Sequence, residues 1–250
     1  EDDQHKIWMG TLNQGLRWLD PSNNQQKTIN TRNNQIQFIR EVNGEIWVST
    51  ETGFDVIPAD RSHIQYLAST PGNKSALSLL ATALPNNEVL TGGYPNTGLD
   101  IISSDRKRVK RIRKEQGLTD STVLEIKKTS HGSYITYSNN NGLGLIDPDL
   151  KSIRYLEGFP KLKAKNSDAL LYVDLNDRIW LAGSSFGLYC ISPAGDSLWQ
   201  FNTKKTLPDE TILSLIGNKT GVYVGTKTGL TRILPPYITG AKTWQFRSID

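Results

Sequence analysis

One pattern occurs six times along the chain: a short aliphatic or aromatic run, a polar turn ending in Gly-Leu or Gly-Phe, and a second run closing near Asp or Pro. It opens as IWMGTLNQGLRWLDP at Ile7 and returns as IWVSTETGFDVIPA, VLTGGYPNTGLDIIS, YITYSNNNGLGLIDP, IWLAGSSFGLYCISP and VYVGTKTGLTRILPP. The turn glycines are Gly15, Gly53, Gly98, Gly142, Gly187 and Gly229, so successive spacings are 38, 45, 44, 45 and 42 residues. That interval is the length of one blade of a β-propeller.

A close reading of the second unit predicts four strands. QIQFIREV, from Gln35, is the first, and Asn43-Gly44 supplies the positive φ angles of a two-residue hairpin turn. EIWVST is the second strand, GFDVIPA the third and HIQYLAS the fourth. First strands recur downstream as TVLEIKKT, DALLYVDL and TILSLIGN, and fourth strands as RVKRIRK, SIRYLEG, SLWQFN and TWQFRS. Each unit therefore reads as a four-stranded antiparallel meander. A lone meander exposes an apolar face on each side, and the physical remedy is to stack units radially about an axis. The fold expected is all-β, a propeller of six four-stranded blade repeats over a single domain, residues 1–250. The repeats run over about 1–33, 34–73, 74–120, 121–166, 167–209 and 210–250.

Composition agrees. Hydrophobic residues make up 36% and charged residues 22%, enough apolar surface for a packed core. No run reaches the roughly 18 to 20 apolar residues of a membrane-spanning helix. The single cysteine, Cys190, excludes an internal disulfide and suits either the cytosol or an exported compartment. A net charge of +4 is too mild to imply nucleic acid by itself.

Trp8, Trp47 and Trp180 occupy equivalent places in second strands, where the other units have Leu90, Ile135 and Tyr223. Large apolar side chains at a repeat-equivalent position are expected to be packing between blades. The turn glycines are expected to meet backbone demands that other residues resist.

The IW(V/M/L)-(G/S/A)-T-x-x-G-L-x-R-x-D style of these units resembles the two-component regulator propeller repeat, and the resemblance covers essentially the whole chain. It is best in the first, second, fifth and sixth units. The third and fourth lack the Trp, and Asp55 stands where Arg17 and Thr231 occur elsewhere. WD40 units would show an upstream Gly-His and a closing Trp-Asp, and kelch units several Gly-Gly pairs. The resemblance implies a sensor region of a bacterial hybrid histidine kinase or related signalling protein, placed in the periplasm or otherwise outside the cytoplasm. It also implies a carbohydrate ligand, tethering to a membrane receptor and dimerisation of the full receptor.

Glu1-Asp2 align with Glu41-Val42, the close of a first strand, so the opening blade is expected to lack its innermost strand, leaving twenty-three strands in all. A segment of a longer chain is expected. Either a preceding stretch completes a six-bladed ring, or these are six blades of a larger ring or array.

Of three histidines, His5 and His131 fall in first-to-second-strand turns and His63 begins a fourth strand, so no histidine cluster is expected, and one cysteine makes no thiolate metal site. SNNNG (138–142) and LDPSNN (19–24) offer oxygen ligands for calcium, though Asn-rich turns are mostly just turns. No nucleophile elbow, phosphate loop or HExxH occurs. Neither catalytic residue, metal nor cofactor is expected. The basic run DRKRVKRIRK (105–114) reads either as a patch for an anionic polymer or as an edge strand guarded by cations. No aromatic interleaves with its charges, which lowers the nucleic-acid reading.

Ligand capture, if present, is expected where second-to-third-strand turns and blade-to-blade links converge at a channel mouth. The candidate binding residues are Arg32, Asn33, Tyr94, Asn96, Asp120, Asn139, Asn140, Asn141, Ser184, Ser185, Phe186 and Lys227, with Asn13, Gln14, Asp209 and Glu210 close by in the same turns and links. Amides and hydroxyls beside aromatic rings suit a sugar. Three functions remain in play: a non-enzymatic ligand sensor, a protein-interaction scaffold, and a propeller lyase or hydrolase needing convergent carboxylates.

Overall fold

In the computed structural model the described residues are 1–68, 77–94, 98–119, 122–138, 140–156, 169–183, 186–202, 206–240 and 242–249. They form antiparallel sheets whose strands follow one another in chain order. The first sheet joins β1 (Ile7–Gly10), β2 (Leu16–Asp20) and β3 (Gln25–Ile29). The second joins β4 (Ile36–Val42), β5 (Glu45–Thr50), β6 (Gly53–Ile57) and β7 (Gln65–Ala68). The third holds β8 (Leu77–Ala83), β9 (Val89–Tyr94), β10 (Leu99–Ile102) and β11 (Val109–Ile112). The fourth holds β12 (Val123–Lys128), β13 (Tyr134–Ser138), β14 (Gly142–Ile146) and β15 (Ile153–Tyr155). The fifth has β16 (Leu170–Val173), β17 (Ile179–Gly183), β18 (Gly187–Ile191) and β19 (Leu198–Phe201). The sixth has β20 (Ile212–Asn218), β21 (Gly221–Thr226), β22 (Leu230–Leu234) and β23 (Gln245–Ile249).

These are six propeller blades, and the first has three strands. Among the described residues the strands number twenty-three, as the repeat phase requires. The chain divides into two compact units, Glu1–Leu124 and Glu125–Asp250, with β12 crossing the boundary.

In the first unit, adjacent blades bury one another's flanks. Blades one and two share a cluster of Leu16, Ile36, Ile46, Val48 and Ile57, with Trp8, Ile29 and Ile39 packed against it. Blades two and three share Val42, Trp47, Phe54, Val56, Ala81, Val89 and Ile102. In the second unit, blades five and six close over Trp180, Ala182, Leu188, Cys190, Phe201, Val222, Val224 and Ile233. Trp47 and Trp180 are fully buried, as are their counterparts Leu90 and Ile135, whereas Trp8 and Tyr223 are only half-buried. Within these clusters the aromatics meet edge to face: Trp47 and Phe54 centroids lie 5.2 Å apart, and Trp180 and Trp244 5.4 Å. Trp47 and Trp180 are therefore interior packing, as their repeat position predicts, while Trp8 packs against its cluster but stays partly exposed.

A buried indole still needs a partner for its N–H. The first-to-second-strand turn supplies one. Asp174 Oδ1 accepts from the backbone N–H of Asn176 (2.9 Å) and Arg178 (3.0 Å), while Oδ2 accepts from Trp180 Nε1 at 2.9 Å. Asp2 repeats the arrangement, with Gln4 (3.0 Å) and Lys6 (2.9 Å) on Oδ1 and Trp8 Nε1 on Oδ2 at 2.8 Å. Burial works against ionisation of Asp2, but these bonds and one from Arg61 hold its carboxyl below the usual value. In blade two the role falls to Glu45, which accepts from Trp47 Nε1 at 3.0 Å.

Arginines then clamp neighbouring blades. Arg61 and Arg106 both occupy the left-handed region, at φ 58° and 61°, in the turn after the third strand. Arg61 donates to Gly44 O (2.7 Å) and Asp2 Oδ2 (3.0 Å), and Arg106 donates to Asn87 O (2.8 Å) and Glu45 Oε2 (2.6 Å). Each arginine thus ends on the carboxylate that holds the tryptophan of the preceding blade.

Most turn glycines behave as the repeat implies: Gly15, Gly98, Gly142 and Gly187 have φ between 67° and 82°, and Gly53 has 139°. Gly229 does not share the positive φ. A Cβ there would come within 3.5 Å of Pro208 Cγ, ordinary contact, so neither a special backbone nor a tight fit explains the glycine at that position.

Trp180→Ala is expected to lower the free energy of urea unfolding by about 3–5 kcal/mol, from lost burial and the cavity left behind. Arg106→Ala is expected to cost about 3 kcal/mol, since it strands the Glu45 carboxylate beside a buried indole. A loss near 0.5 kcal/mol, typical of a surface arginine, would contradict the clamp.

Candidate functional site

In each unit a second-to-third-strand turn is bonded to a neighbouring link. In blade one, Thr11 N donates to Gly15 O (3.1 Å), Gly15 N to Asn34 O (3.1 Å) and Ile36 N to Thr11 O (2.9 Å), tying the turn to residues 34–36 of the link. In blade six, Thr226 N donates to Gly229 O (2.8 Å) and Lys227 N to Thr211 O (3.1 Å), so that turn is tied to the link before it. The candidate residues of each unit that fall in these segments therefore stand on anchored backbone.

In the first unit the link places Arg32 on blade two. Its backbone N–H donates to Asp55 Oδ2 at 2.9 Å, and its guanidinium carbon lies 3.8 Å from the centre of the Tyr66 ring. Tyr66 faces Asp55 across the β6–β7 pair and donates its hydroxyl to Thr52 O in the turn at 2.6 Å. Asn33 Oδ1 accepts from Gln35 N at 2.8 Å and shapes the link. Arg32 is exposed and Asn33 half-buried.

Asp55 is fully buried, and among the described residues its Oδ1 has no hydrogen-bond partner. Burial pushes its carboxyl above the ordinary value of 3.8, partly offset by the Arg32 N–H and charge. The sequence marks Asp55 as a departure from the repeat, but nothing in it joins Arg32 to Tyr66. That stack comes from a link and a fourth strand brought together by folding.

In the second unit, a cleft of about 190 Å³ is lined by Phe186, Gly187, Gln200, Phe201, Asn202, Leu207 and Glu210. Phe186 comes from the turn and Glu210 from the link, while Phe201 and Leu207 are buried. A Cβ on Gly183 would sit 2.6 Å from Phe186 Cε1, so the missing side chain is what admits the ring. Lys227 is exposed, Asn140 exposed and Asn141 half-buried in the turn after β13. Tyr94 ends β9. Asn96, Asp120, Asn139, Ser184 and Ser185 lie outside the described residues.

Other sequence features resolve into structural roles. β11 is an edge strand of its sheet, as expected for the basic run. The run is not a uniform cationic face, however. Arg106 is buried in the blade clamp, and Arg111 Nε donates to Asp100 Oδ1 at 3.0 Å across the sheet. His131 bonds Asp177, His5 bonds Glu1, and His63 bonds Ser62 in the turn before β7, two residues ahead of the strand it was expected to begin. The LDPSNN carboxylate is used internally: Asp20 accepts from Ser22 N (2.9 Å), Ser22 Oγ (2.5 Å) and Asn23 Nδ2 (3.3 Å). Cys190 is buried, which pushes its thiol well up. Among the described residues no group of three histidine, cysteine or acidic side chains is placed to hold a metal ion, and no helix is long and apolar enough to cross a membrane.

No family model and no curated protein matches the chain. Solved structures do match in fold. The extracellular domain of BT4673 from B. thetaiotaomicron, named as a hybrid two-component system, aligns with 100% of this chain at 16% identity and a TM-score of 0.77. That of BT3049 from the same source aligns with 90% at 15% identity and a TM-score of 0.69. The chain spans only 35% and 31% of those two domains. Virginiamycin B lyase from Staphylococcus aureus aligns with 99% of this chain and 82% of its own, at 12% identity and a TM-score of 0.73. At such identities the likeness is one of fold, a β-propeller shared by sensor ectodomains and lyases alike.

Asp55→Asn gives a sharp test of the buried carboxyl. The folded state holds the Asp55 proton more tightly than the unfolded chain does, so this group favours folding most below 3.8, and stability falls as pH rises through its raised folded value. The asparagine keeps an acceptor for Arg32 N–H and removes the buried charge. Its melting temperature is expected to exceed the parent's at pH 7, with the gap closing as pH falls below 4 in thermal scans.

Proposed function

We propose that this chain is a ligand-sensing propeller segment of an extracytoplasmic signalling receptor, and that it binds its ligand without turnover. The reading rests on one observation above all: the two-component ectodomains carry the same blade architecture across 90% or more of this chain. The ligand is a small molecule or oligosaccharide, held on the side of the blades where turns and links meet. The cleft beside Phe186, with amides of Gln200 and Asn202 and the Glu210 carboxylate around apolar Phe201 and Leu207, offers the mix of ring faces and polar groups that sugars use. The receptor acts as a membrane-tethered homodimer, with output from a domain outside this segment. No cofactor enters the reading.

The geometry also favours binding over chemistry. Asp2, Asp20, Asp60, Asp105 and Asp177, whose carboxyls are held below the usual range, act as acceptors within turns or between neighbouring turns. Commitment of Arg106 and Arg111 to carboxylates of this chain speaks against a nucleic-acid face on the basic run.

The test is a thermal-shift screen of the protein against neutral and charged oligosaccharides, followed by mass spectrometry of each hit after long incubation. A true ligand at 100 times its Kd is expected to stabilise the folded chain by about 2.7 kcal/mol. Its mass should be unchanged. Cleavage or elimination products would move the chain to the lyase or hydrolase class, and a flat screen would count against direct sensing.

A further inference from the structure

We propose that Arg32, stacked on Tyr66, is an anion-binding subsite that takes a carboxylate or sulfate group carried on a saccharide. The proposal rests on the ligand-sensing reading and narrows it to a charged ligand. Three observations in the first unit carry it. The guanidinium carbon stands over the Tyr66 ring, 3.8 Å from its centre, so the ring covers one face of the cation. Among the described residues no acceptor receives a hydrogen bond from the Arg32 side chain, although the residue is exposed and its backbone N–H is held by Asp55. Both partners are fixed from behind: the backbone of Arg32 by Asp55 at 2.9 Å, and Tyr66 by its hydroxyl bond to Thr52 O at 2.6 Å.

Among the described residues, neither nearby carboxylate accepts a hydrogen bond from the guanidinium, although its charge eases the burial of Asp55. Asp55 gives one oxygen to the Arg32 backbone, and its burial disfavours the ionised form. Glu51, in the adjacent turn, lies within hydrogen-bond reach of the Gln35 side-chain amide when that amide is turned to donate. A guanidinium fork over a ring, with no hydrogen-bond acceptor among the described residues, matches the paired oxygens of a carboxylate or sulfate, which an ammonium cannot reproduce. Asn33 adds a neutral donor on the same link, since its Oδ1 is taken by Gln35 N and its amide N–H₂ has no acceptor among the described residues.

Calorimetric and NMR titrations with trigalacturonate, its fully methyl-esterified form and inorganic sulfate test the assignment. Trigalacturonate is expected to bind the parent protein and to shift the Tyr66 ring protons, a readout that needs no variant. Arg32→Lys keeps the charge but loses the fork, and is expected to bind about tenfold more weakly, the loss of roughly one charge-assisted hydrogen bond. Its melting temperature should be unchanged. Binding of sulfate alone would support the anion site but assign it to a free ion. Equal affinity for the acid and the ester, or an Arg32→Lys protein that binds as tightly as the parent, would overturn the subsite and leave the sensing reading intact. No binding of any of the three would overturn the subsite, while the wider oligosaccharide screen decides the sensing reading separately.

Discussion

The structure depends on blades burying one another's flanks, and where a tryptophan fills that space its N–H must still find a partner. A four-stranded meander has two apolar flanks and no stability alone, so each blade must be covered by its neighbours. Placing a large flat ring at the centre of the second strand gives the greatest buried area per residue, but the indole N–H then demands an acceptor. The carboxylate at the first-to-second-strand turn answers that demand at Asp2, Glu45 and Asp174. At the first two, an arginine from the next blade completes the charge balance. Packing and electrostatics are thus solved by the same few atoms, at one side of the blades.

The opposite side is left to other uses. There the second-to-third-strand turns and the links are tied by backbone bonds such as Gly15 to Asn34 and Lys227 to Thr211, helped by short side chains such as Thr11 and Asn33. This is the usual division in repeat scaffolds, in which regular strands fix the frame and turn residues vary freely. Arg32, Asn33, Phe186 and Lys227 sit on that frame. The Arg32–Tyr66 stack and the cleft beside Phe186 are two local outcomes of it, one cationic and one bearing a carboxylate. A fold common to sensors and lyases leaves function to such local chemistry.

The reading of the basic run shows where sequence reasoning loses its grip. Ten residues with seven cations suggest one surface, yet the turn geometry folds Arg106 inward at φ 61° while β11 pairs Arg111 with Asp100. Charge is visible in a sequence and its neutralisation is not, because the partners Glu45 and Asp100 arrive from other strands. Asp55 is the converse case. Its departure from the repeat is plain in the sequence, but its burial, and the raised pKa that follows, belong to the packing of blade two.

What the sequence determined by itself was the part governed by short-range rules: strand alternation, the Asn43-Gly44 hairpin, the glycine period, and from their phase the six blades with a first one short of a strand. These signals are local and repeat, so six imperfect copies reinforce one another. Tertiary structure alone decided that Arg61 meets Asp2, Arg106 meets Glu45 and Arg32 meets Tyr66, and that Phe186 and Glu210 line one cleft. Each of those pairs is separated by more than twenty residues, and only the folding of strands into sheets, and of sheets against sheets, brings such distant groups within reach of a hydrogen bond or a ring face.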